Sequence, residues 1–148
     1  ICIIMKKVIY DSNEQDVHKL LKTLIHPQHI KFVSVIKSEW IYAGIDFLFI
    51  NKQSLKTLGL EAKNWLSAKH NLISVAKVRH IKKDYNNDCI LFFTHADKIY
   101  WLYTKTFDFD YLEIKFLHGD ACYIFEDKHL NDSIEELALF IQLKMNNK

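Results

Sequence analysis

Three residues stand out for the chemistry they could share: Asp46 in GIDFLFI, and Glu61 and Lys63 in GLEAKNW. Residues 51–54 (NKQS) between them are turn-like. A hairpin whose turn centres between Gln53 and Ser54 puts Asp46 directly across from Glu61. Lys63, two residues further on, then shares Glu61's face of the strand, because side chains alternate. Gly59 lies on that face too, which leads us to expect room for a ligand above it. Two carboxylates can hold a hard cation such as Mg²⁺ or Mn²⁺ through oxygen ligands. Such a metal polarises a phosphate and lowers the pKa of a water. A neighbouring lysine can orient or deprotonate that water and offset charge building on phosphorus. The residue types therefore suit hydrolysis of a phosphodiester.

The surrounding elements must position this trio. Residues 12–26 carry a helical stripe of Val17, Leu20, Leu21, Leu24 and Ile25, with Ser12 or Asn13 as cap and Pro27 as stop. Residues 30–37 alternate as a strand, and 40–50 read as a second, continuously apolar after Asp46. Residues 72–80, 89–94 and 98–104 also read as strands, the last two paired across THAD. Further strands are expected at 111–117 and 121–125, and a final helix at 132–145. Together these give a single α/β domain over 1–148, a central mixed sheet flanked by helices.

With those residues in place, the sequence resembles the PD-(D/E)XK nuclease superfamily. The resemblance covers a core of about 12–104: the leading helix, GID, EAK and the strand material through DKIYWLY. The segment 105–148 adds C-terminal strands and a helix. The resemblance implies a restriction-endonuclease-like αβββαβ core and a metal-dependent nuclease of restriction, repair or mobile-element type. Asp46 and Glu61 would be the metal ligands and Lys63 the catalytic lysine. Glu14 on the first helix, or Gln15 beside it, matches an accessory acid of many members. No proline precedes Asp46, and residues 64–80, where the family places a helix, contain β-branched residues and turn formers.

Two competing readings concern the same trio. Ser54 can cap a helix over 54–69, with Leu55, Leu58, Ala62, Trp65 and Leu66 at helical spacing, which would separate Glu61 from Lys63. A second E-x-K, Glu113 to Lys115, forms an equivalent set with Asp97. The first set is preferred because it has a helix and a strand before it and strands after it.

Composition narrows the partners. The 148 residues carry 20 Lys and Arg against 18 Asp and Glu, so the chain is no polycation, yet KVRHIKK groups Lys77, Arg79, Lys82 and Lys83 without an acid. Such a cluster suits phosphate contacts. Arg79 is the sole arginine, so backbone and shape recognition of DNA, in preference to RNA, fits better than arginine-read bases. Tyr100, Trp101 and Tyr103 suit stacking on bases, a sheet core, or the seal of a homodimer. Three glycines exclude a dinucleotide-binding loop and a phosphate-binding P-loop. The eight histidines include no H-E-x-x-H, and the three cysteines include no C-x-x-C. A short apolar stretch after Met5 argues against export, no run reaches membrane-span length, and a reduced cytoplasmic setting is expected. A nuclease this small is expected to act as a homodimer or with a partner protein. The alternative function is a non-catalytic, nucleic-acid- or protein-binding regulatory module on a degenerate nuclease fold.

Overall fold

The structure, a computed structural model, describes residues 22, 30–34, 45–64, 71–95, 98–117 and 119–146. Apart from Lys22, which is helical, the expected leading helix at 12–26, with Glu14 and Gln15, lies outside the described residues, as does the segment 40–44. Strand β1 spans Ile30–Ser34, β2 Phe47–Asn51 and β3 Thr57–Asn64. They form an antiparallel meander, β1-β2-β3. Phe47 pairs with Leu60, Leu48 with Gly59 and Phe49 with Leu58. The ladder ends at the Phe47–Leu60 pair, with a turn at 52–54, and Asp46 lies just beyond it. The helical alternative for 54–69 fails over residues 57–64, which are strand.

After β3 the chain passes through β4, Asn71–Ser74, and helix α1, Val75–Asp84, and returns as β5, Cys89–His95, parallel to β3. Strand β6, Lys98–Tyr103, then closes the main sheet, whose order among the described residues is β1-β2-β3-β5-β6. The strand expected at 72–80 is thus a correction: only its start is strand and the rest is helix. The valines suggested a strand, but Val78 and Ile81 sit three apart and are both buried, a helical period. The Ser74 side chain accepts the Lys77 N–H at 3.0 Å, capping the helix, while Lys82 and Lys83 suit its C-terminal dipole. The helix that the family places after the third strand is therefore present.

Strands β7, Glu113–Leu117, and β8, Asp120–Phe125, pair with β4 in a small antiparallel sheet of order β4-β8-β7. Helix α2, Ile134–Asn146, closes the described chain. Apolar runs in the central strands follow from burial on both faces of the main sheet. On one face Phe47, Phe49, Leu58, Leu60, Ile90 and Phe92 pack with Leu137, Ile141 and Met145 of α2. On the other, Leu48, Leu91 and Phe93 pack with Val78 and Ile81 of α1 and with Ile73 and Phe125 of the small sheet. Helix α2 is fastened at both ends. The Trp101 indole donates to the Ser133 carbonyl at 3.0 Å, and the Asn51 side-chain amide donates to the Met145 carbonyl at 2.7 Å. No helix among the described residues is long and apolar enough to cross a membrane.

Candidate active site

Glu61 sits in the middle of β3, the strand bordered by β2 and β5, and is 3% exposed. Its strand neighbours Leu58 and Leu60 face the α2 side, so Gly59, Glu61 and Lys63 face the α1 side. Lys63 is half-buried opposite Phe93. Asp46 stands one residue before β2, not within it. Its backbone N–H donates to the Leu60 carbonyl at 3.1 Å, and its Oδ2 accepts the Ala62 N–H at 2.8 Å. The carboxylate thus takes up a backbone donor at the end of the β2–β3 ladder, which fixes the side chain against β3. Asp46 is thereby set beside β3 at Ala62, the residue between Glu61 and Lys63.

One buried sulfur lies beside β3. Cys89 opens β5 opposite Gly59 and is fully buried. Burial pushes its thiol well above the usual range, the Glu61 carboxylate adds to the rise, and Asp88 and Asp46 contribute further. Neither Cys89 nor Cys122 is in a disulfide. Sequence reasoning missed Cys89, and the parallel β3–β5 pairing that brings it under the site has no local signature.

The room expected over Gly59 is not there. A methyl group at Gly59 would meet Ile45 Cδ1 at 3.0 Å and Cys89 Sγ at 3.4 Å. Glycine is present to admit Ile45, the residue before Asp46, so the glycine serves packing and not a ligand.

Lys77, expected among phosphate contacts, instead projects from the first turn of α1 to the carboxylate. Its Nζ lies 2.9 Å from Glu61 Oε2. The approach is an ion pair without hydrogen-bond geometry, and Oε2 has no hydrogen-bond donor. The rest of the basic group is dispersed by the helix. Lys82 lies over the Phe109 ring, 5.6 Å from its centroid, while Arg79 and Lys83 are exposed and one turn apart. Base stacking by Tyr100, Trp101 and Tyr103 is corrected too. All three are buried, Trp101 facing α2 and Tyr100 facing the α1 side. The Tyr103 hydroxyl donates to Asp88. In the second E-x-K, Glu113 and Lys115 are exposed on β7 in the small sheet, and Asp97 lies outside the described residues.

The Asp46 and Glu61 carboxylates, one on the segment before β2 and the other buried in β3, are hard oxygen donors of the kind a small divalent cation takes. Mg²⁺ commonly takes one or two carboxylates and completes its shell with water and phosphate. Among the described residues no cluster of three His, Cys, Asp or Glu side chains stands ready for a metal, so a two-carboxylate site is the form that fits.

No family model and no curated protein sequence matches the chain. Solved structures do. A Holliday junction resolvase, Hjc, from Archaeoglobus fulgidus superposes with a TM-score of 0.50 at 12% identity, covering 86% of this chain and 96% of that one. D212, a nuclease from a fusselovirus, superposes with a TM-score of 0.56 at 13% identity over 83% of each chain. At such identity the likeness concerns the fold alone. The chain has the α/β fold that these two nucleases share, a mixed central sheet flanked by helices.

Proposed function

We propose that the chain is a DNA nuclease that hydrolyses phosphodiester bonds with a Mg²⁺ or Mn²⁺ ion held by Asp46 and Glu61. The observation that carries this reading is the hydrogen bond from the Ala62 N–H to Asp46 Oδ2, which sets that carboxylate beside the stretch of β3 where Glu61 and Lys63 share a face. The fold it shares with a resolvase and a viral nuclease supports the same chemistry. When bound, the cation would polarise the scissile phosphate and acidify the attacking water. Asp46 is held by the Ala62 N–H, so its carboxylate is set before substrate arrives. Glu61 is held by strand burial. Lys63 would orient the water and offset charge on phosphorus. Arg79 and Lys83, exposed one turn apart on α1, would contact the DNA backbone, with Lys82 beside them. Action as a homodimer or with a partner protein is supported by exposed apolar side chains at the β7 edge, Tyr111, Ile114 and Phe116. The free thiols suit a reducing, cytoplasmic setting.

A second reading, a metal-free binding module, draws support from Lys77, whose ammonium already neutralises Glu61. Purified protein incubated with plasmid and single-stranded DNA in Mg²⁺, Mn²⁺ or EDTA decides between them. The nuclease reading expects metal-dependent cutting that disappears in folded Asp46→Asn, Glu61→Gln and Lys63→Ala. Cutting that survives all three removes the site from EAK. Absence of cutting with any metal, and of metal-induced stabilisation, leaves the binding module.

A further inference from the structure

We infer that Lys77 is the internal counter-cation of the site: it neutralises Glu61 while no divalent ion is held, and it is displaced when one binds. The inference rests on the metal-site reading of Asp46 and Glu61. A carboxylate as buried as Glu61 is costly without a cation beside it. Lys77 Nζ supplies one, 2.9 Å from Oε2. A divalent ion on the same carboxylate would sit about 2.0–2.6 Å from its oxygens. Two cations on one buried carboxyl group repel strongly, since little water screens them.

The geometry favours exchange over permanence. The contact lacks hydrogen-bond direction, and Oε2 has no other donor to keep. The Lys77 side chain is 26% exposed, so its head can move to water while its methylene stem stays in place. Its backbone is pinned, because the N–H donates to the Ser74 cap. Displacement then needs rotation of one side chain and no movement of α1. Lys77 is a positioning residue: it holds Glu61 in place, and it sets the threshold a metal must exceed.

The test is Mn²⁺ binding, measured by electron paramagnetic resonance on wild type, Lys77→Met, Lys77→Arg and Asp46→Asn. Removing the competing charge is expected to tighten Mn²⁺ binding by about tenfold or more in Lys77→Met. Lys77→Arg keeps the charge and is expected to stay near wild type. A purely structural role for Lys77 would weaken binding in Lys77→Met instead. In wild-type protein, reductive methylation of Lys77, read by mass spectrometry, is expected to accelerate on adding Mn²⁺. This second measurement decides the matter should Lys77→Met fail to fold. Equal or weaker Mn²⁺ affinity in a folded Lys77→Met, or Lys77 labelling indifferent to Mn²⁺, overturns the inference while leaving the metal site intact. Wild type that binds Mn²⁺ no better than Asp46→Asn overturns the metal site, and the inference with it.

Discussion

Gly59→Ala tests how the site is packed, and its sign depends on a single methyl group. Gly59 carries no backbone strain that would bar alanine, and alanine in a strand interior restricts the unfolded chain, a gain of about 0.4–1 kcal/mol. The added Cβ, however, would sit 3.0 Å from Ile45 Cδ1 and 3.4 Å from Cys89 Sγ. The first distance is several tenths of an ångström too short. Ile45 is itself buried, so it cannot simply swing outward. Overpacking of this kind costs about 1–3 kcal/mol. The contact wins, and Gly59→Ala is expected to destabilise by about 0.5–2 kcal/mol. Ile45→Val removes a methyl group, at a cost of about 0.5–1.5 kcal/mol by itself. In that background the clash is gone, only the ordinary contact with Cys89 remains, and Gly59→Ala is expected to become neutral or stabilising. The coupling between the two changes is then about 1–2 kcal/mol, within the range found for touching residues. Urea denaturation followed by circular dichroism measures all four proteins. An equal cost for Gly59→Ala in both backgrounds would refute the assignment of Gly59 to the seating of Ile45. Because Ile45 precedes Asp46, the single variant is also expected to lose metal-dependent activity more than stability, and the double variant to recover part of it.

Other outcomes follow from the same contacts. Asn51→Ala removes a buried amide that donates to the Met145 carbonyl and accepts the Gln53 and Ser54 N–H groups. Its cost should be about 1–3 kcal/mol in a denaturant titration, with faster amide hydrogen exchange at the C-terminal end of α2. Leu55 is 74% exposed and held at φ 63°, so Leu55→Gly should raise the melting temperature, by an amount equivalent to about 1 kcal/mol or less. Burial raises the Cys89 thiol and the Tyr103 hydroxyl, the latter also through Asp88. In both cases the folded state favours the neutral form. Their contribution is complete below the unfolded values, about 8.5 and 10, and is lost as pH rises above them. Thermal melts should therefore show stability falling above about pH 9, more shallowly in Tyr103→Phe beyond about pH 10. A slope unchanged by that substitution would exclude Tyr103 as a source.

The hairpin and its register were legible because they are local. NKQS marks a turn, the flanking runs are apolar, and a turn's position sets which residues face one another. The pairing of Phe47 with Leu60 and of Leu48 with Gly59, with Glu61 and Lys63 on one face of β3, follows from those few residues alone. The β5–β6 hairpin and α2 were legible for the same reason, one from a short connection and the other from a capped apolar stripe. Helix α1 was not, since Val75 and Val78 favour strands locally and the helix forms because Val78 and Ile81 find a core against Leu91 and Phe93. That one change of element redistributes the basic residues. A strand would have alternated Lys77 and Arg79 on one face with Val78 on the other, whereas a helix turns Lys77 toward β3 and Arg79 toward solvent. Likewise Gly59 read as open space until Ile45 and Cys89, one from before β2 and one from a parallel strand thirty positions away, met above it. The aromatic character of Tyr100, Trp101 and Tyr103 is in the sequence, but only the packing of α2 and α1 on opposite faces decided that these rings belong to the core. Sequence determined which groups could share a site, through short-range pairing. Tertiary structure decided what neutralises, crowds and buries them, because those neighbours are brought together by a sheet order that no local pattern encodes.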